Sequence, residues 1–176
     1  IRLNERGQVV NFVNSEKCAA GSGRFLEIIA KVLQIALKDI GPLSLKSTNP
    51  VIFTTGCAVF GESEVISRIA EGISKEDILA GVNKALADKL ANLITQVGLE
   101  EPCAISGGGA LNIGLIKKLA EKLGTQLLVP PQPQLVNALG AAVIAEEEMA
   151  KTPFEKPFSE RPLKTKWQSW DEDEGI

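Results

Sequence analysis

The chain has 176 residues, of which 44% are hydrophobic and 23% are charged, and its formal net charge is −3. This length can form one domain with a buried core, and this composition excludes extensive disorder. The small negative charge argues against nucleic acid as a partner, and no apolar stretch approaches the roughly 20 residues that a membrane span needs. No membrane association is expected.

The sequence contains three cysteines and no histidine. An odd number of cysteines without disulfide-like spacing indicates a reducing compartment, so a cytoplasmic location is expected. Without histidine, Ser-His and Cys-His nucleophile pairs are excluded. Any site for a soft metal must then be built from thiolates.

The first 50 residues predict a hairpin and an amphipathic helix. Two strands are expected at residues 1–4 and 8–14, around a turn at Gly7. Apolar residues then recur with helical spacing over 25–36, where Ser22 is a plausible N-cap and Gly41-Pro42 is expected to end the helix.

Two further helices are predicted in the middle of the chain. The second covers about 58–70 and follows a short apolar run at 51–53. The third begins at Ser74-Lys75-Glu76-Asp77, which resembles a capping box, and ends at Gly98. Its apolar face carries Leu79, Val82, Leu86, Leu90, Leu93 and Val97.

From residue 103 the pattern changes to alternating strands and helices. A strand at 103–106, a glycine turn, a helix at 111–123 stopped by Gly124, a strand at 127–129 and a helix at 135–149 are expected. This order predicts parallel strands with covering helices. Residues 151–176 end in an acidic run and are expected to form an extended tail.

Cys18 and Cys57 share a local setting. Each stands before a predicted helix, among small residues. A helix N-terminus lowers the pKa of a thiol and stabilises an anionic centre, and small neighbours let the backbone approach an iron–sulfur cluster. Two ligands are too few for a four-iron cluster, so a twofold dimer would have to supply four thiolates.

The spacing of these cysteines leaves two other readings open. Both could be small buried hydrophobic residues, as free cysteines commonly are. A zinc ion held by thiolates across a dimer is a further alternative. Cys103 differs because it lies inside an apolar strand pattern, and a structural role is expected for it.

The residues around the two cysteines resemble those of a known family, the ATPases that activate 2-hydroxyacyl-CoA dehydratases together with the ATP-binding subunits of benzoyl-CoA reductases. The resemblance runs from Ile1 to about Glu147. The two matching segments are Asn14-Ser15-Glu16-Lys17-Cys18-Ala19-Ala20-Gly21-Ser22-Gly23-Arg24-Phe25 and Cys57-Ala58-Val59-Phe60-Gly61-Glu62-Ser63-Glu64-Val65-Ile66.

The resemblance implies an α/β fold, the ribonuclease-H-like domain of the sugar kinase, heat-shock chaperone and actin superfamily, with a mixed sheet and covering helices. It implies that Cys18 and Cys57 ligate a [4Fe-4S] cluster shared between two subunits of a homodimer. It also implies an electron donor such as a ferredoxin or flavodoxin, and ATP with Mg²⁺ as the driving ligand. The electron acceptor would be a 2-hydroxyacyl-CoA dehydratase or a benzoyl-CoA reductase component.

The run Gly107-Gly108-Gly109 lies between a predicted strand and helix and resembles the adenosine-binding turn of that superfamily. The small residues of 137–142 resemble the family's final helix and are expected to serve close helix packing. Neither phosphate-binding loop of the superfamily is found in the sequence. We therefore expect 1–150 to be a C-terminal cluster- and adenosine-binding domain that does not hydrolyse ATP by itself.

Two functions of other classes remain as alternatives. One is an ATP-dependent small-molecule kinase domain with incidental cysteines, and the other is a non-catalytic dimeric binding module of the same fold. Glu62 and Glu64 could be read as catalytic carboxylates. A solvated helix face or a dimer interface is the preferred interpretation for both.

Overall fold

The computed structural model describes residues 1–14, 23–53 and 58–151. The strands are β1 Arg2–Leu3, β2 Val9–Asn11, β3 Cys103–Ala104 and β4 Leu127–Leu128. The α-helices are α1 Gly23–Val32, α2 Ile40–Ser44, α3 Ala58–Ala70, α4 Lys75–Val97, α5 Ile113–Leu123 and α6 Val136–Lys151. The chain divides into two compact units, Ile1–Asn137 and Ala138–Ile176. The expected boundary near residue 150 stays a prediction.

The predicted N-terminal hairpin is present, with β1 and β2 antiparallel. The side chain of Asn4 organises its turn, because Oδ1 accepts hydrogen bonds from the N–H groups of Arg6 at 3.0 Å and Gln8 at 2.9 Å. Gly7 has a φ of 73°, a conformation that side chains disfavour. The strands are shorter than predicted, and Val9 is largely exposed.

Helix α1 ends earlier than its apolar pattern predicts. It stops at Val32 because Gln34 takes up a left-handed conformation, with a φ of 53°. The N–H of Gln34 then bonds to the carbonyl of Lys31, and the N–H of Ile35 to that of Ala30. This pair of bonds is a Schellman motif, in which glycine is the usual residue at the left-handed position.

The prediction that Gly41-Pro42 ends the first helix is wrong. Both residues lie within α2, a separate short helix that begins at Ile40. Proline is tolerated there because the first-turn N–H groups of a helix have no intrahelical acceptor. A Cβ on Gly41 would lie 2.9 Å from the backbone nitrogen of Ile113, so α2 closely approaches the start of α5.

The two middle helices have the predicted bounds. Helix α4 is capped by Ser74, whose hydroxyl accepts a hydrogen bond from the N–H of Asp77 at 3.1 Å, and it ends at Gly98 with a φ of 91°. The capping box differs in one bond, because the Asp77 carboxylate accepts from the hydroxyl of Ser74 at 2.7 Å. Gly72 ends α3 in a second Schellman motif.

The parallel arrangement predicted for the last third is confirmed. Strand β3 pairs in parallel with β4 in the register Cys103 to Leu127, and α5 connects them. Gly124 ends α5 in a left-handed conformation with a φ of 67°. Among the described residues, the strands form two separate two-stranded sheets, one antiparallel and one parallel, in place of the single mixed sheet that was expected, and helices are the dominant element.

The core of the first unit is formed by the apolar faces of α1, α3, α4 and α5. Its largest fully buried apolar side chains include Ile29, Leu33, Ile40, Ile78, Leu79 and Leu119. On the predicted face of α4, Leu79, Val82, Leu86 and Val97 are buried. Within the described ranges, no helix combines the length and apolar character that a membrane span requires.

The close packing that was expected of the small residues of helix α6 stays a prediction. Taken by itself it has no buried residue. Among the described residues of its own unit, nothing lies within 4 Å of the position where Gly140 would carry a Cβ. Leu139 and Ile144 are 65% and 62% exposed.

Candidate functional site

The predicted glycine turn follows β3 after two intervening residues. Gly107 has a φ of 92° and donates its N–H to the carbonyl of Pro133 at 2.7 Å, which joins the turn to the segment after β4. A short 3₁₀ turn then covers Gly108–Leu111, in place of the simple turn that was expected. In the part of the chain that the structure describes, no atom lies within 4 Å of the Cβ position of Gly107, Gly108 or Gly109. A ligand can therefore reach the backbone here.

The residue that follows this 3₁₀ turn, Asn112, belongs to a buried network of polar side chains. Asn112 caps α5 by accepting from the N–H of Leu115 at 3.1 Å, and its amide donates to Oδ1 of Asn83 at 2.8 Å. Asn83 donates in turn to the hydroxyl of Ser44 at 2.8 Å. All three polar side chains are buried. Because their hydrogen bonds are satisfied, they fix α2, α4 and α5 against one another.

The backbone of Gly114 lies in close contact with this network. A Cβ on Gly114 would overlap the hydroxyl of Ser44 and would lie 2.6 Å from Nδ2 of Asn83. Sequence reasoning missed these residues. One signal was present, because Asn83 follows Leu79 by four positions and is a polar residue on the apolar face of α4.

Cys18 and Cys57 lie outside the described residues, as does the predicted N-cap Ser22. The helices that follow the two cysteines are described, and their first turns are in contact. A Cβ on Gly61, the fourth residue of α3, would lie 2.8 Å from Cε2 of Phe25, the third residue of α1. The N-terminal ends of α1 and α3 are therefore neighbours.

This geometry constrains both cysteines through the chain. Cys57 immediately precedes Ala58, the first residue of α3, and Cys18 precedes Gly23 by five residues, a reach of at most about 18 Å. Neighbouring helix N-termini direct partial positive charge to one region, which suits an anionic group. Two thiolates without any histidine form a donor set that fits iron–sulfur or zinc chemistry.

The other candidate residues have ordinary surroundings. Cys103 lies in β3, is partly buried and packs against the core. Glu62 is exposed, whereas Glu64 pairs with Arg68 at 3.6 Å and its side chain is only 12% exposed. In the described ranges, no group of three or more histidine, cysteine, aspartate or glutamate side chains is placed to hold a metal ion.

Asp77 has a second role that the capping pattern does not reveal. Its Oδ1 accepts from the hydroxyl of Ser47 at 2.6 Å and from the N–H groups of Thr48 at 3.2 Å and Asn49 at 2.9 Å, while Oδ2 accepts from Ser74. The Ser47 hydroxyl, then the Asn49 N–H and the Ser74 hydroxyl, lower the pKa of Asp77 to about 2. One carboxylate thus binds the 47–49 loop to the start of α4.

This depressed pKa predicts an acid-sensitive contribution to stability. A carboxyl group with a folded pKa below its unfolded value stabilises the fold fully above the unfolded value, here 3.8, and loses that effect as the pH falls through about 2. We expect the midpoint of thermal unfolding of Asp77→Asn to lie below that of the wild type at pH 6. The difference should shrink between pH 4 and pH 2. A difference that stays constant over this range would contradict the assignment.

A family model described as the BadF/BadG/BcrA/BcrD ATPase family matches residues 1–145. The chain is 38% identical over 148 residues to the 2-hydroxyisocaproyl-CoA dehydratase activator of Clostridioides difficile, covering 84% of this chain and 56% of the relative. It is 39% identical over 149 residues to a benzoyl-CoA reductase subunit of Thauera aromatica, covering 81% of this chain and 53% of that relative.

A solved structure shares the fold. It is the activator of the 2-hydroxyisocaproyl-CoA dehydratase from Clostridium difficile with bound ADPNP, with a TM-score of 0.80 and 36% identity, over 89% of this chain and 60% of that chain. The expected fold class, that of the actin-like ATPases, is thereby confirmed. The chain spans little more than half the length of the curated relatives it matches. With these matches, the chain belongs to the BadF/BadG/BcrA/BcrD ATPase family.

Proposed function

We propose that the chain is the cluster-carrying part of an ATP-dependent electron activator, which serves a 2-hydroxyacyl-CoA dehydratase or a benzoyl-CoA reductase. The names of its relatives support both partner classes. The observation that carries the proposal is the contact between the first turns of α1 and α3, because these two helices follow Cys18 and Cys57. No contact among the described residues distinguishes the role of a free activator from that of a permanent component of a reductase.

In the proposed site, Cys18 and Cys57 of each subunit of a homodimer hold one [4Fe-4S] cluster. A bound cluster would supply one-electron transfer at low potential, with a ferredoxin or flavodoxin as donor. The residues of this chain place the two thiolates. The contact of Phe25 with Gly61 keeps the N-terminal ends of α1 and α3 together, and their partial positive charge favours an anionic group placed there.

The nucleotide part of the proposal rests on Gly107, Gly108 and Gly109. The open space above their Cα atoms lets an adenosine group approach the backbone. The ADPNP in the related structure supports a nucleotide as the ligand. The network of Asn83, Asn112 and Ser44 fixes Asn112, whose N–H bonds to the carbonyl of Gly109, to α4. Because no phosphate-binding loop is found in the sequence, we propose that this chain alone does not hydrolyse ATP.

Anaerobic purification followed by iron and sulfide reconstitution tests the proposal. We expect a brown protein with about four iron atoms per two chains, since a four-iron cluster takes four thiolates and each chain offers two. Iron and sulfide assays, together with the mass in solution, measure this ratio. A colourless monomer under the same conditions would refute the cluster site, and a protein that binds one zinc instead would support the alternative thiolate site.

A further inference from the structure

We infer that Asn83 of α4 is a positioning residue for the glycine turn, and that the affinity of this turn for an adenine nucleotide depends on it. The inference rests on the proposed function, because that proposal assigns residues 107–109 to the nucleotide. Asn83 acts on the turn through Asn112, the residue at which the 3₁₀ turn ends.

The glycine turn is held from both sides. On the first side, the N–H of Gly107 donates to the carbonyl of Pro133 at 2.7 Å. On the other side, the N–H of Asn112 donates to the carbonyl of Gly109 at 3.1 Å. The three glycines have no side chains that could pack against the core. Their placement therefore depends on the residues that flank them.

Asn83 fixes the side chain of one of these flanking residues. It is fully buried, and its Oδ1 accepts a hydrogen bond from the amide of Asn112 at 2.8 Å. The Oδ1 of Asn112 accepts in turn from the N–H of Leu115 at 3.1 Å and caps α5. The side chain of Asn112 thus joins the end of the turn, the start of α5 and the middle of α4. Because these groups are buried, a lost bond leaves a polar group without a partner.

Asn83 is itself held in one orientation. Its Nδ2 donates to the hydroxyl of Ser44 at 2.8 Å, and that hydroxyl donates to the carbonyl of Gly41 at 2.7 Å. A Cβ on Gly41 would lie 3.0 Å from Oδ1 of Asn112, so the backbone of α2 lies against the same side chain. The hydrogen bonds of Asn83 and the contact with α2 therefore leave Asn112 little freedom to rotate.

Loss of the Asn83 side chain removes the acceptor for the amide of Asn112. This amide can find another partner only by rotation of its side chain, and that rotation disturbs the cap of α5 and the end of the turn. The apparent dissociation constant of a ligand rises as the conformation that binds it is depleted. A turn that spends less time in its native geometry therefore binds adenosine more weakly.

Nuclear magnetic resonance of the full chain measures both consequences in one sample. The variants are Asn83→Ala and the milder Ser44→Ala, which removes one bond to Asn83. We expect amide hydrogen exchange at Ala110 and Asn112 to accelerate about tenfold or more relative to the amide of Ile29 in α1, because local opening becomes easier. Titration with ADP should give a dissociation constant about three times that of the wild type or higher.

Val65→Ala is the matched control, because Val65 is a fully buried side chain of α3 that takes no part in the network. It should lower the stability of the fold and leave the exchange ratio and the affinity for ADP at wild-type values. An equal rise of the exchange ratio in this control would indicate general loosening and overturn the inference.

Two further outcomes would overturn it. One is an unchanged exchange ratio in folded Asn83→Ala, or in Ser44→Ala where Asn83→Ala fails to fold. The other is faster exchange with wild-type affinity for ADP, because the geometry of the turn would then not limit binding. A wild type that binds no ADP would refute the nucleotide part of the proposed function, whereas the exchange ratio would still decide whether Asn83 holds the turn.

Discussion

Replacing Cys18 or Cys57 by serine is expected to abolish stable iron binding by this chain, whereas Cys103→Ser should retain it. Each of the first two changes removes two of the four thiolates that a homodimer would offer to one cluster. Serine is a hard oxygen ligand and a poor substitute for a soft thiolate. Iron content should therefore fall from about four atoms per two chains to near zero, as measured after anaerobic desalting.

Cys103→Ser is the matched control, because Cys103 lies in β3 and packs against the core. Equal iron loss in all three variants would indicate misfolding. Far-ultraviolet circular dichroism of the cluster-free proteins distinguishes that case. Full iron retention in Cys18→Ser would contradict the assignment of this residue as a ligand.

Gly114→Ala is expected to destabilise the fold by about 3 kcal/mol. The new Cβ would overlap the Ser44 hydroxyl and press on the amide of Asn83, and overpacking of this kind costs about 1–3 kcal/mol. If the amide of Asn83 loses its partner, the unsatisfied buried group adds about 1–3 kcal/mol. Better helix propensity offsets at most about 1 kcal/mol. The midpoint of thermal unfolding should drop by roughly 10 °C.

Gly23→Ala provides the comparison, because Gly23 also lies in the first turn of a helix and no atom of the described residues lies within 4 Å of its Cβ position. Its effect should stay below about 1 kcal/mol, the size of a propensity difference. Equal stability of Gly114→Ala and Gly23→Ala would show that the packing around Ser44 and Asn83 relaxes without cost.

Helix ends illustrate what local pattern can predict. Gly98 and Gly124 follow the last apolar residues of α4 and α5, and both end their helices as expected. The end of α1 was missed because Gln34 takes the left-handed position that glycine usually marks. The prediction that Gly41-Pro42 ends a helix failed because proline interrupts the interior of a helix but is tolerated in its first turn. Here it lies in the first turn of α2.

In the candidate site, too, some features follow from local sequence and others depend on how the helices pack. Cys18, Cys57 and the three glycines were identified as candidate site residues from their sequence segments and from the family resemblance. The family itself is confirmed. The ligand roles of these residues stay predictions. Asn83 and Asn112, 29 positions apart, could not be paired from the sequence, because their hydrogen bonds depend on how α4 and α5 pack.

The two cysteines therefore have two sources of evidence. Their neighbours along the chain establish which segments carry them, that a helix follows each one, and which family they resemble, because these features depend on residues within a few positions. The packing of the helices was needed to find that the first turns of α1 and α3 touch, and that Asp77 binds the 47–49 loop. Such contacts join residues about 30 positions apart, and they form only once the helices have packed into one core.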